Sequence, residues 1–169
     1  MSNLPPGTAN NAPGQPLSVS LRRIVIDAVV EAQRRHAALV EAEHLLLALT
    51  RAADSPARQA LEQAGVDTAG VESALVKERA RSLRAVGCDD RSADLVITAP
   101  RVTRPRWGAS AKDALARANR VAGAHRRQRS NDVDLLAALF SLELGTLPRA
   151  LELAGIDCQA IVAAALRSR

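Results

Sequence analysis

At 169 residues the chain has room for one domain, or for two half-domains sharing a core, and its 47% hydrophobic content is enough to fill one. With one Phe, one Trp and no Tyr that core must be aliphatic, which argues against a sheet rich in aromatic and β-branched residues and for closely packed helices. The net charge is +5, but residues 77–129 hold 14 Lys/Arg against 5 Asp/Glu, so the positive charge gathers in the middle of the chain.

Residues 1–16 contain four prolines and two glycines with almost nothing to bury, and are expected to form a flexible tail. A first helix is expected from Leu17 or Ser18, capped by Ser18 or Ser20, with Leu21, Ile24, Val25, Ala28, Val29 and Ala32 as its core stripe. After Arg34-Arg35-His36, the run Glu41–Thr50 predicts a second helix, apolar nearly all round and therefore buried. Asp54-Ser55-Pro56 starts a third, which ends at Gly65, a residue suited to the left-handed C-terminal position. Asp67 or Thr68 caps a fourth, carrying Val71, Ala74 and Leu75 towards Leu83.

Residues 85–108 lack a helical period and hold Gly87, Pro100, Pro105 and Gly108, which predicts a long linker, with Leu95-Val96-Ile97-Thr98 as a short extended stretch. Beyond it, Ser110 is expected to cap a helix through Ala111, Ala114, Leu115, Ala118 and Ala122. Asn131 or Asp132 starts the Leu135–Phe140 helix, Thr146–Ala154 ends at Gly155, and Asp157 opens a last helix through Ile161, Val162, Ala165 and Leu166.

These two series are copies. Ala60–Asp67 reads ALEQAGVD and Ala150–Asp157 reads ALELAGID, identical at six of eight positions and 90 residues apart. The same offset sets Ser20 on Ser110, Ala28 on Ala118, Ala32 on Ala122, and Leu45, Leu46, Ala48 and Leu49 on Leu135, Leu136, Ala138 and Leu139. A tandem structural repeat explains this better than coincidence. The expected fold is all-α: two pseudo-symmetric four-helix repeats, 17–84 and 109–168, packed into one globule around the 85–108 linker.

Four short helices per repeat, the string Glu41-Ala42-Glu43-His44-Leu45-Leu46-Leu47-Ala48-Leu49 and the AL-x-x-AG-[VI]-D ending resemble the Clp N-terminal domain. That is the double-repeat module at the front of Hsp100 unfoldases that feed ATP-dependent Clp proteases. The resemblance covers roughly residues 17–168, with Ala42-Glu43-His44-Leu45-Leu46 in place of a TEHLL-like string. It implies docking of substrates or adaptors and no catalysis. Because the chain has no GxxxxGK[ST] phosphate loop, it is expected to be a free-standing adaptor, decoy or regulator of an unfoldase. In several family members the acidic residue of the EH motif helps bind phosphorylated arginine. Glu43 keeps that residue in copy one, whereas Val133 and Asp134 stand at the equivalent place in copy two, where Asp132 or Asp134 is the available substitute.

Glu43 suits an arginine guanidinium, although a first-turn acid is also what the helix dipole favours. The helix starts at Ser20 and Ser110 are candidate edges of the binding groove, with N–H groups suited to a phosphate. His44 reads as a structural residue at the start of its helix. No His or Cys stands at ligand spacing from it, so neither a metal nor any other cofactor is expected. His36, His44 and His125 lie in no nucleophile motif, and no catalytic residue is assigned. Cys88 and Cys158 read as unpaired thiols in a reducing compartment.

Arg101, Arg104, Arg106 and Trp107 form one basic and aromatic cluster, and Arg126, Arg127 and Arg129 another at a helix end, where they suit the last carbonyls. The expected partners are a Clp-type unfoldase, its adaptor or its substrates, with a small hydrophobic antibiotic as a further ligand of the same fold. The alternative is a basic nucleic-acid-associated regulator, disfavoured because the charge is its sole support. No apolar run approaches the roughly 20 residues that span a bilayer and no signal peptide is seen, so a cytoplasmic location is expected.

Overall fold

The computed structural model describes residues 16–88 and 103–167. The expected tail up to Gln15, the extended stretch Leu95–Thr98 and Arg101 lie outside the described residues. Eight helices are present among those described: α1 Val19–Arg34, α2 Ala42–Arg51, α3 Pro56–Gln63, α4 Thr68–Ala85, α5 Ala109–Ala124, α6 Asp132–Phe140, α7 Thr146–Leu153 and α8 Cys158–Arg167. Two short strands, β1 Leu39–Val40 and β2 Arg106–Trp107, complete the order. Among the described residues no helix is long and apolar enough to cross a membrane.

Local chemistry sets most boundaries. Ser18 caps α1 by accepting the Leu21 N–H (3.1 Å), Ser55 caps α3 with Pro56 in its first turn, and Asp67 caps α4 through the Gly70 N–H (2.7 Å). Gly65 and Gly155 both adopt left-handed φ (+72° and +66°) just past α3 and α7, a conformation that a Cβ would strain. Each element of the first copy begins 90 residues before its counterpart: Val19 and Ala109, Ala42 and Asp132, Pro56 and Thr146, Thr68 and Cys158.

The leucine-rich helices α2 and α6 occupy the centre and pack on each other. Leu45, Leu46, Leu47 and Leu49 are fully buried, as are Leu135, Leu136 and Leu139. Each such side chain contributes roughly 1.5–3 kcal/mol by leaving water, so the aliphatic interior can hold the bundle without aromatics. Residues of both copies belong to one continuous apolar cluster.

Two parallel pairings interlock the copies. β1 pairs with β2, Val40 opposite Trp107, and Leu17 forms a bridge with Ser130. These pairings are images of each other under the 90-residue offset, since Leu17 corresponds to Trp107 and Val40 to Ser130. The end of the expected linker is therefore structural: the Gly108 N–H donates to the Val40 carbonyl (2.9 Å), and half-buried Trp107 packs against the core. A sequence pattern tuned to helices does not register a two-residue strand whose partner lies in the other copy.

Candidate functional site

The starts of α2, α5 and α7 converge on a pocket of about 290 Å³ whose lining includes Glu41, Glu43, Ser110, Gly145, Thr146 and Leu147. It draws on both copies. The three helix starts are served differently, and that difference defines the site.

At α5 the cap comes from across the repeat. Ser110 does not cap its own helix as expected; Gly108 holds the N-cap position and provides no side chain. Glu41 reaches over instead and accepts from the Ser110 N–H (3.1 Å) and from the Ser110 hydroxyl, which in turn accepts from the Ala42 N–H (2.9 Å). The carboxylate sits so close that a Cβ on Gly108 would fall 2.0 Å from Glu41 Oε1, so any larger residue there must displace the carboxylate from its place. At α2 the start is satisfied by His44, whose Nδ1 accepts from the Glu41 N–H (2.9 Å). Burial, and then the positive Arg35 guanidinium, holds His44 below its ordinary value, which keeps the ring neutral and able to accept.

At α7 no side chain among the described residues serves the first turn. Its N-cap is Gly145 (φ +114°), with no side-chain bond to the helix start. Glu43 lines the same pocket, half-buried, and among the described residues no hydrogen bond or ion pair ties its carboxylate to another side chain. Burial pushes that carboxyl above its ordinary range; its own backbone N–H acts against this, and nearby Glu41 adds to it. The pocket thus sets a desolvated acid beside an unfilled helix N-terminus, an arrangement that attracts a cation at one point and an anion at the next.

The equivalent place in copy two is closed. Asp132, nearly buried, accepts from the Ser55 hydroxyl (2.6 Å) and the Ala57 N–H (3.2 Å), so the start of α3 already holds a carboxylate. Asp134, fully buried, does the work that His44 does in copy one: it accepts from the Asn131 N–H (3.0 Å), while Asn131 accepts from the Asp134 N–H (3.0 Å). Arg127 then pairs with both Asp134 oxygens, one contact at 2.7 Å. Both aspartates are thus engaged by partners within the fold.

Of the other expected residues, Ser20 is exposed and shares a hydrogen bond with Ser18 (2.9 Å), apart from the pocket that Glu43 and Ser110 line together. Arg104, Arg106, Arg126 and Arg129 are exposed, with no hydrogen bond or ion pair from their side chains to one another or to the pocket. Arg127 faces Asp134 rather than the last carbonyls of α5. Glu41, Gly108 and Gly145 were missed. Comparison across the offset exposes two of them: Gly145 stands where copy one has Ser55, and Gly108 where it has Ser18. Among the described residues no three His, Cys, Asp or Glu side chains gather as a metal site.

No curated protein matches this sequence. Among solved structures, the Hsp104 N-terminal domain from Candida albicans is similar at 14% identity and a TM-score of 0.62, covering 90% of this chain and 90% of that one. The N-terminal domain of the caseinolytic protease associated chaperone ClpD from Arabidopsis thaliana is similar at 19% identity and 0.64, covering 89% and 92%. A chain from a malarial protein secretion system is similar at 17% identity and 0.58, covering 91% and 94%. At these identities the likeness establishes the fold. The model of the Clp repeat (R) N-terminal domain matches residues 16–100, half of the chain, and with it the protein belongs to that family.

Proposed function

We propose that the chain is a non-catalytic recognition module of a Clp-type unfolding and proteolysis system, and that its Glu43 pocket takes a phosphorylated arginine on a substrate or adaptor. The observation that carries this reading is the Glu43 carboxylate, without a side-chain partner among the described residues, beside the uncapped start of α7. The guanidinium pairs with Glu43 and the phosphoryl oxygens meet the N–H groups of the first turn of α7. Pro148, the third residue of that helix, has no N–H, so Thr146 and Leu147 supply the donors.

Calorimetry with a phosphoarginine peptide tests this. Glu43→Gln is expected to weaken binding by about ten- to hundredfold, the loss of a charge-assisted pair, with helix content intact. Because a bound guanidinium favours the ionised acid, affinity rises with pH through the Glu43 range and complex formation releases a proton there. Equal affinity in the two proteins, or an affinity without pH dependence in that range, removes Glu43 from the site.

A further inference from the structure

We infer that a second groove, between α4 and α7, docks an acidic amphipathic helix of a partner protein. It is lined by Val76, Lys77, Ala80, Arg81 and Arg84 of α4 and Leu153 of α7, with a volume of about 510 Å³. None of these residues lines the Glu43 pocket, so the two surfaces stand or fall separately.

Helical spacing builds the surface. Val76, Ala80 and Arg84 follow one i, i+4 ridge of α4, and Lys77 and Arg81 follow the next. Val76 and Leu153 are 67% and 40% exposed, so apolar side chains floor the groove without being covered. Glu78, on the same helix, is turned into the fold, where it accepts from Arg149 Nε (2.7 Å) and the Ser82 hydroxyl (2.7 Å). The acid is withdrawn and the cations are left out.

Those cations have, among the described residues, no acid of their own. Among the described residues Lys77 and Arg81 make no ion pair, and Arg84 donates only to the Ala80 carbonyl (3.3 Å). Elsewhere on the bundle Arg35, Arg51, Arg58, Arg117, Arg127 and Arg149 are each matched with a carboxylate, and, among the described residues, Arg104, Arg106, Arg126 and Arg129 are not; what sets the groove apart is that its unmatched cations flank exposed apolar side chains. Nor is the groove a by-product of duplication: polar Gln63 stands 90 residues before Leu153. Three unmatched cations around an apolar floor complement carboxylates flanking apolar anchors, the pattern of an amphipathic helix laid in a groove. A nucleic acid would satisfy the cations but leave Val76 and Leu153 without a counterpart, and no aromatic side chain lines the groove for a base to stack on.

The test is selection of a displayed library of random peptides of about 16 residues against the whole chain, repeated against Arg81→Glu/Arg84→Glu and against Val76→Asp. All three positions are on exposed or open faces, and circular dichroism verifies the fold of each variant. Peptides enriched on the unmodified protein are expected to carry several Asp or Glu with apolar residues three or four apart, and to bind either variant at least about tenfold more weakly. Enrichment of peptides without that pattern, no enrichment, or binding that both variants retain overturns the proposal. So does duplex DNA of about 20 base pairs that binds the chain, loses affinity with Arg81→Glu/Arg84→Glu and keeps it with Val76→Asp, which would make the face a polyanion site.

Discussion

The two copies place the same backbone corner in opposite states. At the start of α3 the position is filled by the chain itself: the Ser55 hydroxyl caps the helix and Asp132, from the other copy, adds a carboxylate-to-backbone contact. At the start of α7, 90 residues on, glycine replaces the serine, and Ala42 stands where copy two has Asp132. A helix N-terminus is a standing anion site, and what decides whether it serves the fold or a guest is a pair of small substitutions. The corner at α3 serves stability; the corner at α7 is left open, with Glu43 beside it.

Breaking the closed corner should have the largest effect. Asp134→Ala leaves Arg127 without its counter-charge in a site where Arg127 Nε is already buried without a hydrogen bond. The expected loss is about 3–5 kcal/mol, read as a lower midpoint in urea unfolding. Asp132→Ala strips the Ser55 hydroxyl and the Ala57 N–H of their acceptor and should cost about 1–3 kcal/mol in the same measurement. Phosphoarginine peptide affinity should be unchanged, because neither aspartate lines the Glu43 pocket.

The converse change sharpens the contrast. Ala42→Asp places in copy one the carboxylate that copy two carries, and should fill the start of α7 and weaken the phosphoarginine peptide by about tenfold or more in calorimetry. The fold should persist, as α3 tolerates the same arrangement. Unchanged binding would mean that the first turn of α7 is not where the phosphoryl group sits.

The smallest expected effect is read by pH at His44, the N3 residue of α2. His44 is held below its ordinary value of 6.5, so the unfolded chain takes up a proton before the folded one does. Stability is complete above that value and falls as pH drops through it, by at most about 1.4 kcal/mol per pH unit. His44→Asn keeps a neutral acceptor on the Glu41 N–H at every pH and should flatten the slope between pH 7 and 5.5, about the range in which a histidine titrates. A slope identical to that of the unmodified protein would assign the proton to another group. Glu43 works in the opposite direction: its raised value means the acid fits the fold best when protonated, so Glu43→Gln should raise the thermal midpoint slightly at neutral pH, with no gain left in acid.

What was legible in the sequence follows the range of the interactions. Pro56, Asp67, the paired AG-[VI]-D turns and the leucine runs act within a few residues, and the helices they predict stand where expected. Contacts between copies were not legible, since nothing near Glu41 tells that it will cap α5, and nothing near Asp132 that it will cap α3. Ser110 misled because a serine beside a helix start looks like a cap, while the acid that does that work lies on another element. Glu43 and Ser110 did come together in one pocket, whereas Ser20, Asp132 and Asp134 were drawn elsewhere by partners that only packing reveals.

The reciprocal pairing of Val40 with Trp107 and of Leu17 with Ser130 has a consequence for synthesis. The strand that completes the first half is encoded after it, and the residue that completes the second half is encoded before it. A nascent chain halted short of Trp107 therefore emerges from the ribosome with an open edge at Val40, and one halted short of Ser130 leaves Leu17 without its bridge.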